Sequence, residues 1–381
     1  MPLPSRCSAV ILFVLAVAPF RAEAQAVDRL LVRWDHAFSR LSGVAELPDG
    51  RVVAVDNLDG VVFIGTGDGT GVEPLGRTGD GPNEYRRPFS LVRGPADTVL
   101  VYAQNRLVRV TPGGEIAGSY PFQAQALGGS VSRPRGVDRA RRVYWDRAVV
   151  RDPATGAIKR QQQYEIVRFA LGSTRVELVA TANDHAPEMH SHRFHPFAER
   201  DGWVVTPDGT VRIVRARDYS VASVVNGAVV DSTVPIPFEA LPVTAADRAA
   251  FRRSRATEAG PVVSFNGVAG PPSSSGSPQR IAQMERDYPD ETFPRRKPPF
   301  LENGVFLSPG GDLWIARTPQ GADDSKRRID IIDGTGRRVR ELTLPAGRSL
   351  LGLDRRGIYL VEEDPDGLQY LERYAWPAGL R

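Results

Sequence analysis

Polar turns and short apolar runs alternate along almost the whole chain, and one phrase recurs. It is a turn centred on Asp or Gly followed by four or five apolar or β-branched residues. It reads Pro48-Asp49-Gly50-Arg51-Val52-Val53-Ala54-Val55 at its first occurrence and Pro207-Asp208-Gly209-Thr210-Val211-Arg212-Ile213-Val214 at its fourth. The other copies run from Pro95 to Tyr102, Asp138 to Trp145, Pro309 to Ala316 and, more loosely, Asp354 to Val361. Further strand-like runs follow each copy. After the fourth, Tyr219 to Val225 leads through Asn226-Gly227, a pair suited to a type I′ turn, into Ala228 to Asp231. Alternation broken by regularly spaced turn residues predicts meanders of four antiparallel strands.

Six such meanders predict an all-β chain folded as a six-bladed β-propeller of four-stranded antiparallel blades, because radial repetition protects sheet edges that would otherwise pair with other chains. The last run, Tyr370 to Trp376, leaves the sixth blade one strand short. Asp28 to Trp34 precedes the first meander and is expected to pair into that blade and close the ring. The regular spacing breaks between the fourth and fifth copies, where residues 242–299 form a partly helical insertion. Thr244 as N-cap and Asp247 as its reciprocal partner predict a helix from Thr244 to Arg253, and a second helical turn is expected over Gln279 to Asp287. Gly270 to Pro278 is a low-complexity stretch. A cap over one propeller face and a surface excursion both fit this insertion.

The N-terminus departs from the pattern. Arg6, the apolar run Ala9 to Phe20, and Ala22 and Ala24 in small-x-small spacing read as a signal peptide over residues 1–24, leaving 25–381 as the mature propeller. The apolar run is too short to span a bilayer, so no transmembrane segment is expected in the mature chain. The single cysteine, Cys7, lies in the leader, which removes thiol chemistry and disulfides from the exported protein. A periplasmic or extracellular location follows from this reading, and a monomer is expected. The formal net charge of +4 is too mild for a nucleic-acid partner. Its basicity is almost all arginine, since Lys159, Lys297 and Lys326 are the only lysines.

Three segments resemble bacterial secreted six-bladed propellers related to the NHL and TolB-like propellers. They are Gly76-Arg77-Thr78-Gly79-Asp80-Gly81-Pro82-Asn83-Glu84-Tyr85-Arg86-Arg87-Pro88, then Lys297 to Phe300 leading into Leu307 to Trp314, and Leu368 to Tyr374. The likeness covers essentially the mature chain and implies the architecture. Propellers host binding modules, lactonases, lyases and scaffolds, so it implies no single activity.

Several constellations could carry chemistry. In Gly76 to Pro88 the glycines would let backbone amides approach an anion, with Arg77, Asn83, Tyr85 and Arg86 as binding residues. The alternative is a tight crossover between blades with Tyr85 packed beneath it. Asn183 to His195 holds four of the five histidines. His190 and His192 share a side if the segment is extended, and His195 and Glu188 could complete the nitrogen and oxygen ligands of a divalent metal. A solvated polar loop is the alternative there. Metal-dependent propeller lactonases take Glu, Asn and Asp ligands from separate blades, which would make Glu46, Asn57, Asn105 and Asp146 the candidates. Gly65 to Gly71 has a phosphate-loop composition without the helix that must follow it, and no Gly-x-Ser-x-Gly elbow occurs. Trp145, Trp203 and Trp314 are expected in comparable places, packing blade on blade. The leading expectation is therefore a binding or interaction module for a protein or small-molecule ligand at the propeller face, without a cofactor. The alternative is a metal-dependent, lactonase-like hydrolase or lyase.

Overall fold

Each recurring phrase forms the same piece of structure: a tight turn and the second strand of an antiparallel sheet. A computed structural model describes residues 25–381 apart from 82, 105, 122–132, 148–149, 152–157, 160–162, 184–195, 258–276, 322–323 and 381. The leader, Asn105, most of the low-complexity stretch and the whole His185–His195 segment lie outside the described residues.

The sheets are the blades of a six-bladed propeller. Their innermost strands are Leu41–Glu46, Pro88–Arg93, Pro134–Val137, Gly202–Val205, Phe300–Leu307 and Arg348–Asp354. The second strands are Val52–Asp56, Val99–Ala103, Arg142–Arg147, Val211–Arg215, Leu313–Arg317 and Gly357–Glu363. Every innermost strand touches the next, and the sixth returns to the first, so the ring is closed. Closure runs through the N-terminus as expected: Leu30–Arg33 pairs antiparallel with Gln369–Tyr374, matching Leu30 to Tyr374 and Arg33 to Glu372. An addition the sequence did not announce precedes it. Gln25–Ala26 joins Arg338–Thr343 in parallel as a fifth strand of blade 5, so one N-terminal segment ties the last two blades.

The core lies between blades. Val53 and Val55 of blade 1 pack with Val99 and Val101 of blade 2, and Trp314 and Ile331 of blade 5 pack with Ile358 and Leu360 of blade 6. Each such side chain contributes about 1.5–3 kcal/mol by leaving water. Trp145, Trp203 and Trp314 are all buried at blade junctions. Their places are not comparable, however: Trp145 and Trp314 sit on second strands, whereas Trp203 sits on an innermost strand. The indole side chain fills inter-blade volume from either strand, which is why the spacing misled.

Around the axis the fit is closer still. Gly43 faces Leu91 of blade 2, Gly136 faces Val205 of blade 4, Gly202 faces Val305 of blade 5, and Gly352 faces Val44 of blade 1. A bare backbone on one strand thus receives a branched side chain from the next.

In the insertion, helix α1 spans Ala245–Thr257 and helix α2 spans Pro278–Asp287. The Thr244 amide donates to Asp247 Oδ2 at 2.9 Å, and the Asp247 amide donates to Thr244 Oγ1 at 3.2 Å, closing the capping box. Ser277 caps α2. Val243, Phe251, Met284, Tyr288 and Phe293 form a small apolar core that also takes in Phe197, from the connection between blades 3 and 4. Lys297 anchors the unit: its ammonium donates to Asp247 Oδ1 at 2.7 Å and to the carbonyls of Pro319 and Gln320 at 3.1 Å each. None of the described helices is long and apolar enough to cross a membrane.

Candidate functional site

Strand direction gives the two propeller faces different characters. All six innermost strands start at one face, called upper here, so every blade-to-blade connection and every link from second to third strand lies there. The lower face carries the recurring turns, such as Leu47–Arg51 and Thr206–Thr210, closed by short backbone hydrogen bonds. The longer segments all leave from the upper face: the chain between Arg147 and Gln163, between Asn183 and Gly202, and between Ser232 and Phe300. Among the described residues the variation is thus confined to one face, the usual arrangement when a rigid scaffold presents a site.

Five of the six innermost strands carry a pairing irregularity, and only Gly202–Val205 of blade 4 pairs without one. In blade 1 the pairing jumps from Leu41–Asp56 to Gly43–Val55, leaving Ser42 as an unpaired extra residue. The same bulge makes Phe89 the extra residue of blade 2, Arg135 of blade 3 and Leu351 of blade 6. Blade 5 has a larger one between Phe300 and Val305, containing Asn303 with φ of 69°. Bulges redirect single side chains and recur beside functional sites. Ser42, Arg135, Asn303 and Leu351 line a central cavity of about 460 Å³, and exposed Phe89 leans on the Tyr102 ring. That volume lies within the usual range for small-molecule sites, roughly 300–1,000 Å³.

The waist of this channel is apolar, formed by Val44, Leu91, Val137, Val205, Val305 and Leu353. Its charged lining residues are Arg93, Arg133, Arg135 and Arg355 against Asp354. At the lower end the Arg93 guanidinium pairs with Asp354, whose other oxygen accepts the Glu46 amide at 2.8 Å; blades 1, 2 and 6 are tied there. At the upper end Arg135 lies 3.5 Å from buried Asp146, which also accepts the indole N–H of Trp203 and has Arg200 at 3.9 Å. The Arg200 guanidinium in turn lies over the Tyr164 ring.

The lactonase-like set does not assemble. Glu46 ends the innermost strand of blade 1 at the lower face, whereas Asn57 follows the second strand at the upper face. Glu46 is committed elsewhere: its carboxylate accepts from Tyr359 Oη at 2.6 Å and from the Arg356 amide at 3.1 Å. Burial pushes its pKa above the ordinary glutamate range, with Tyr359 opposing. Asp146 lies two blades away. Among the described residues no group of three or more His, Cys, Asp or Glu side chains converges as a metal site. His190, His192, His195 and Glu188 fall outside the described residues.

The structure brings Arg77, Asn83, Tyr85 and Arg86 onto one crossover from blade 1 to blade 2, also on the upper face. Its glycine nest already holds an anion. Glu84 accepts the Gly81 amide at 2.8 Å and the Arg77 guanidinium at 2.6 Å, and a Cβ on Gly79 would strike its carboxylate. The Gly81 amide and Arg77 together keep the Glu84 carboxyl below its ordinary range. Arg86 pairs with Asp80 at 2.8 Å. Tyr85 is buried and its hydroxyl accepts the Val62 amide at 2.9 Å, pinning the crossover to blade 1. Sequence reasoning missed the bulge residues, because an extra residue is visible only once strands are paired.

No known family profile matches the chain, and no curated protein matches its sequence. Solved six-bladed propellers do resemble it in structure. A calcium-binding protein, regucalcin, from Agrobacterium tumefaciens is 11% identical, with 91% of this chain and 95% of that one covered and a TM-score of 0.42. A gluconolactonase from Xanthomonas campestris is 12% identical, with 94% and 99% covered and a TM-score of 0.44. Virginiamycin B lyase from Staphylococcus aureus is 12% identical, with 89% and 81% covered and a TM-score of 0.39. These proteins differ in activity, and likeness at this level assigns none of their activities to the chain.

Proposed function

We propose that this protein is an exported binding module whose ligand enters the central channel from the upper face. The observation that carries this reading is the aligned set of bulges, which leave Ser42, Arg135, Asn303 and Leu351 unpaired at the wall of one cavity. The bulges thus bring a hydroxyl, a guanidinium, an amide and an aliphatic group to one cavity wall. They suit recognition of an asymmetric ligand by a few polar groups on a largely apolar wall. The crossover bearing Arg77, Asn83, Tyr85 and Arg86 and the insertion 242–299 belong to the same face and would form its rim.

The test is a thermal-stabilisation screen against sugars, organic acids, lactones and short peptides, repeated on Ser42→Ala/Asn303→Ala. A compound that stabilises the native chain but not the variant is expected. Hits that stabilise both proteins equally would move binding away from the channel. The metal-dependent hydrolase reading rests on the histidine segment alone. Elemental analysis of untagged protein decides it, with His190→Ala/His192→Ala as the control: stoichiometric metal lost in the variant would favour catalysis.

A further inference from the structure

Two polar atoms in the channel wall are buried without a hydrogen-bond partner among the described residues: Ser90 Oγ and Arg135 Nε. They stand on neighbouring innermost strands, of blades 2 and 3, and both residues line the central cavity. Ser90 occupies a telling place. In blades 1, 3 and 6 the first paired residue after the bulge is glycine, namely Gly43, Gly136 and Gly352. In blade 2 it is Ser90, only 2% exposed. The junction therefore carries a hydroxyl where blades 1, 3 and 6 carry no side chain, and the hydroxyl bonds to nothing among the described residues. An unmade hydrogen bond at a buried group is destabilising, so such groups need a reason.

Arg135 supplies the second half. It is the extra residue of its bulge, with its side chain only 13% exposed, and its carboxylate neighbour Asp146 is 3.5 Å away and also bonded to Trp203. Arginines outnumber acids four to one among the charged residues lining the cavity, and the one acid, Asp354, is engaged by Arg93 at the lower end. Both orphan groups can donate a hydrogen bond, and the apolar waist below them strengthens any charge interaction made there.

We infer that the upper half of the channel binds a small organic anion, a carboxylate or a phosphate, held between the Arg135 guanidinium and the Ser90 hydroxyl. This rests on the channel being the ligand site. The planar guanidinium fork fits either anion and is not replaced by an ammonium.

Calorimetric titration of the full mature chain with inorganic phosphate, succinate, glucose 6-phosphate and, as neutral control, glucose tests it. At least one anion is expected to bind below about 10 mM, more weakly as salt is added, with glucose inert. Arg135→Ala should weaken that binding by about 10- to 100-fold and Ser90→Ala by less. Arg135→Lys, which keeps the charge without the fork, should fall between and serves if the alanine variant does not fold. Binding by the phosphates alone or by succinate alone identifies the anion. No anion binding, or anion binding that survives in both Arg135 variants, overturns the inference. If glucose then binds and is lost in Ser42→Ala/Asn303→Ala, the channel remains the ligand site and only its anion preference falls.

Discussion

A Cβ built on Gly136 would lie 2.5 Å from Val205 Cγ1, and one on Gly202 would lie 2.4 Å from Val305 Cγ2. Neither glycine has positive φ, so their role is close approach and not backbone freedom. The valines they receive are part of the ring that narrows the channel, so both blades would have to move apart to admit a methyl group. Gly136→Ala should therefore destabilise the protein by about 1–3 kcal/mol, the usual cost of overpacking a core. A urea midpoint that does not move would show that the inner ring has slack. Buried acids at the junctions act on the same scale in another way. Asp330, fully buried, accepts from Tyr219 Oη at 2.6 Å across blades 4 and 5. Burial raises its pKa above 3.8, although Tyr219, Arg317 and Arg338 oppose this. Above pH 3.8 the unfolded chain releases this proton first while the folded chain retains it. This junction therefore loses stability as pH rises from there through the raised value, and keeps it at lower pH.

The insertion shows how an element outside the ring is held. Lys297 and Asp247 are 2% and 3% exposed, and the ammonium is hydrogen-bonded by three oxygens from two segments. Burial raises the Asp247 pKa, but the hydrogen bonds from Lys297 and Thr244 outweigh it and hold the carboxyl below 3.8. That stabilisation is present above pH 3.8 and lost as pH falls. Lys297→Ala would leave Asp247 buried without its cation, a loss of about 3–5 kcal/mol. The small apolar core around Phe251 and Tyr288 is too slight to absorb this, so α1 and α2 should open while the blades persist. Limited trypsin digestion should then cut at Arg252, Arg253 or Arg255 in the variant and leave the ring intact. Equal resistance in both proteins would mean that other contacts hold the insertion. The first helix was legible because the capping box of Thr244 and Asp247 is a local signal. The second strands were legible for a similar reason: their turns and alternation repeat. The innermost strands, which make the site, were not. Glycines and bulges break their alternation, as in Ser42-Gly43 and Arg135-Gly136, and a bulge is a property of two strands. Glu84 escaped notice likewise, because its place in the glycine nest depends on how the crossover folds back.

At the scale of the whole molecule, ring closure depends on residues far from the site. The six blades bury their apolar faces on one another, so an open ring would expose two faces and two innermost edges. The seam is between blades 6 and 1, bridged by the N-terminal segment. Leu30–Arg33 completes blade 6, Trp34 is buried against Gly65 and Gly69 of blade 1, and Gln25–Ala26 reaches blade 5. Phe38 continues the bridge, exchanging backbone hydrogen bonds with Gln369 at 2.8 and 2.7 Å. Removing residues 25–34 would strip the outer partner from Gln369–Tyr374 and leave an unpaired edge beside a void where the Trp34 ring had been. Such edges recruit other chains. The truncated protein should unfold at lower urea with a shallower transition, as junctions separate unequally, and should elute as soluble aggregates. Trp34→Ala, which keeps the strand and empties only the void, should cost about 3–5 kcal/mol without aggregation. The difference between the two variants separates edge protection from packing. Equal aggregation in both would place the seam's stability in the indole alone, and an undisturbed truncation would show that four blade junctions and the remaining contacts of blade 6 suffice to hold the channel in shape.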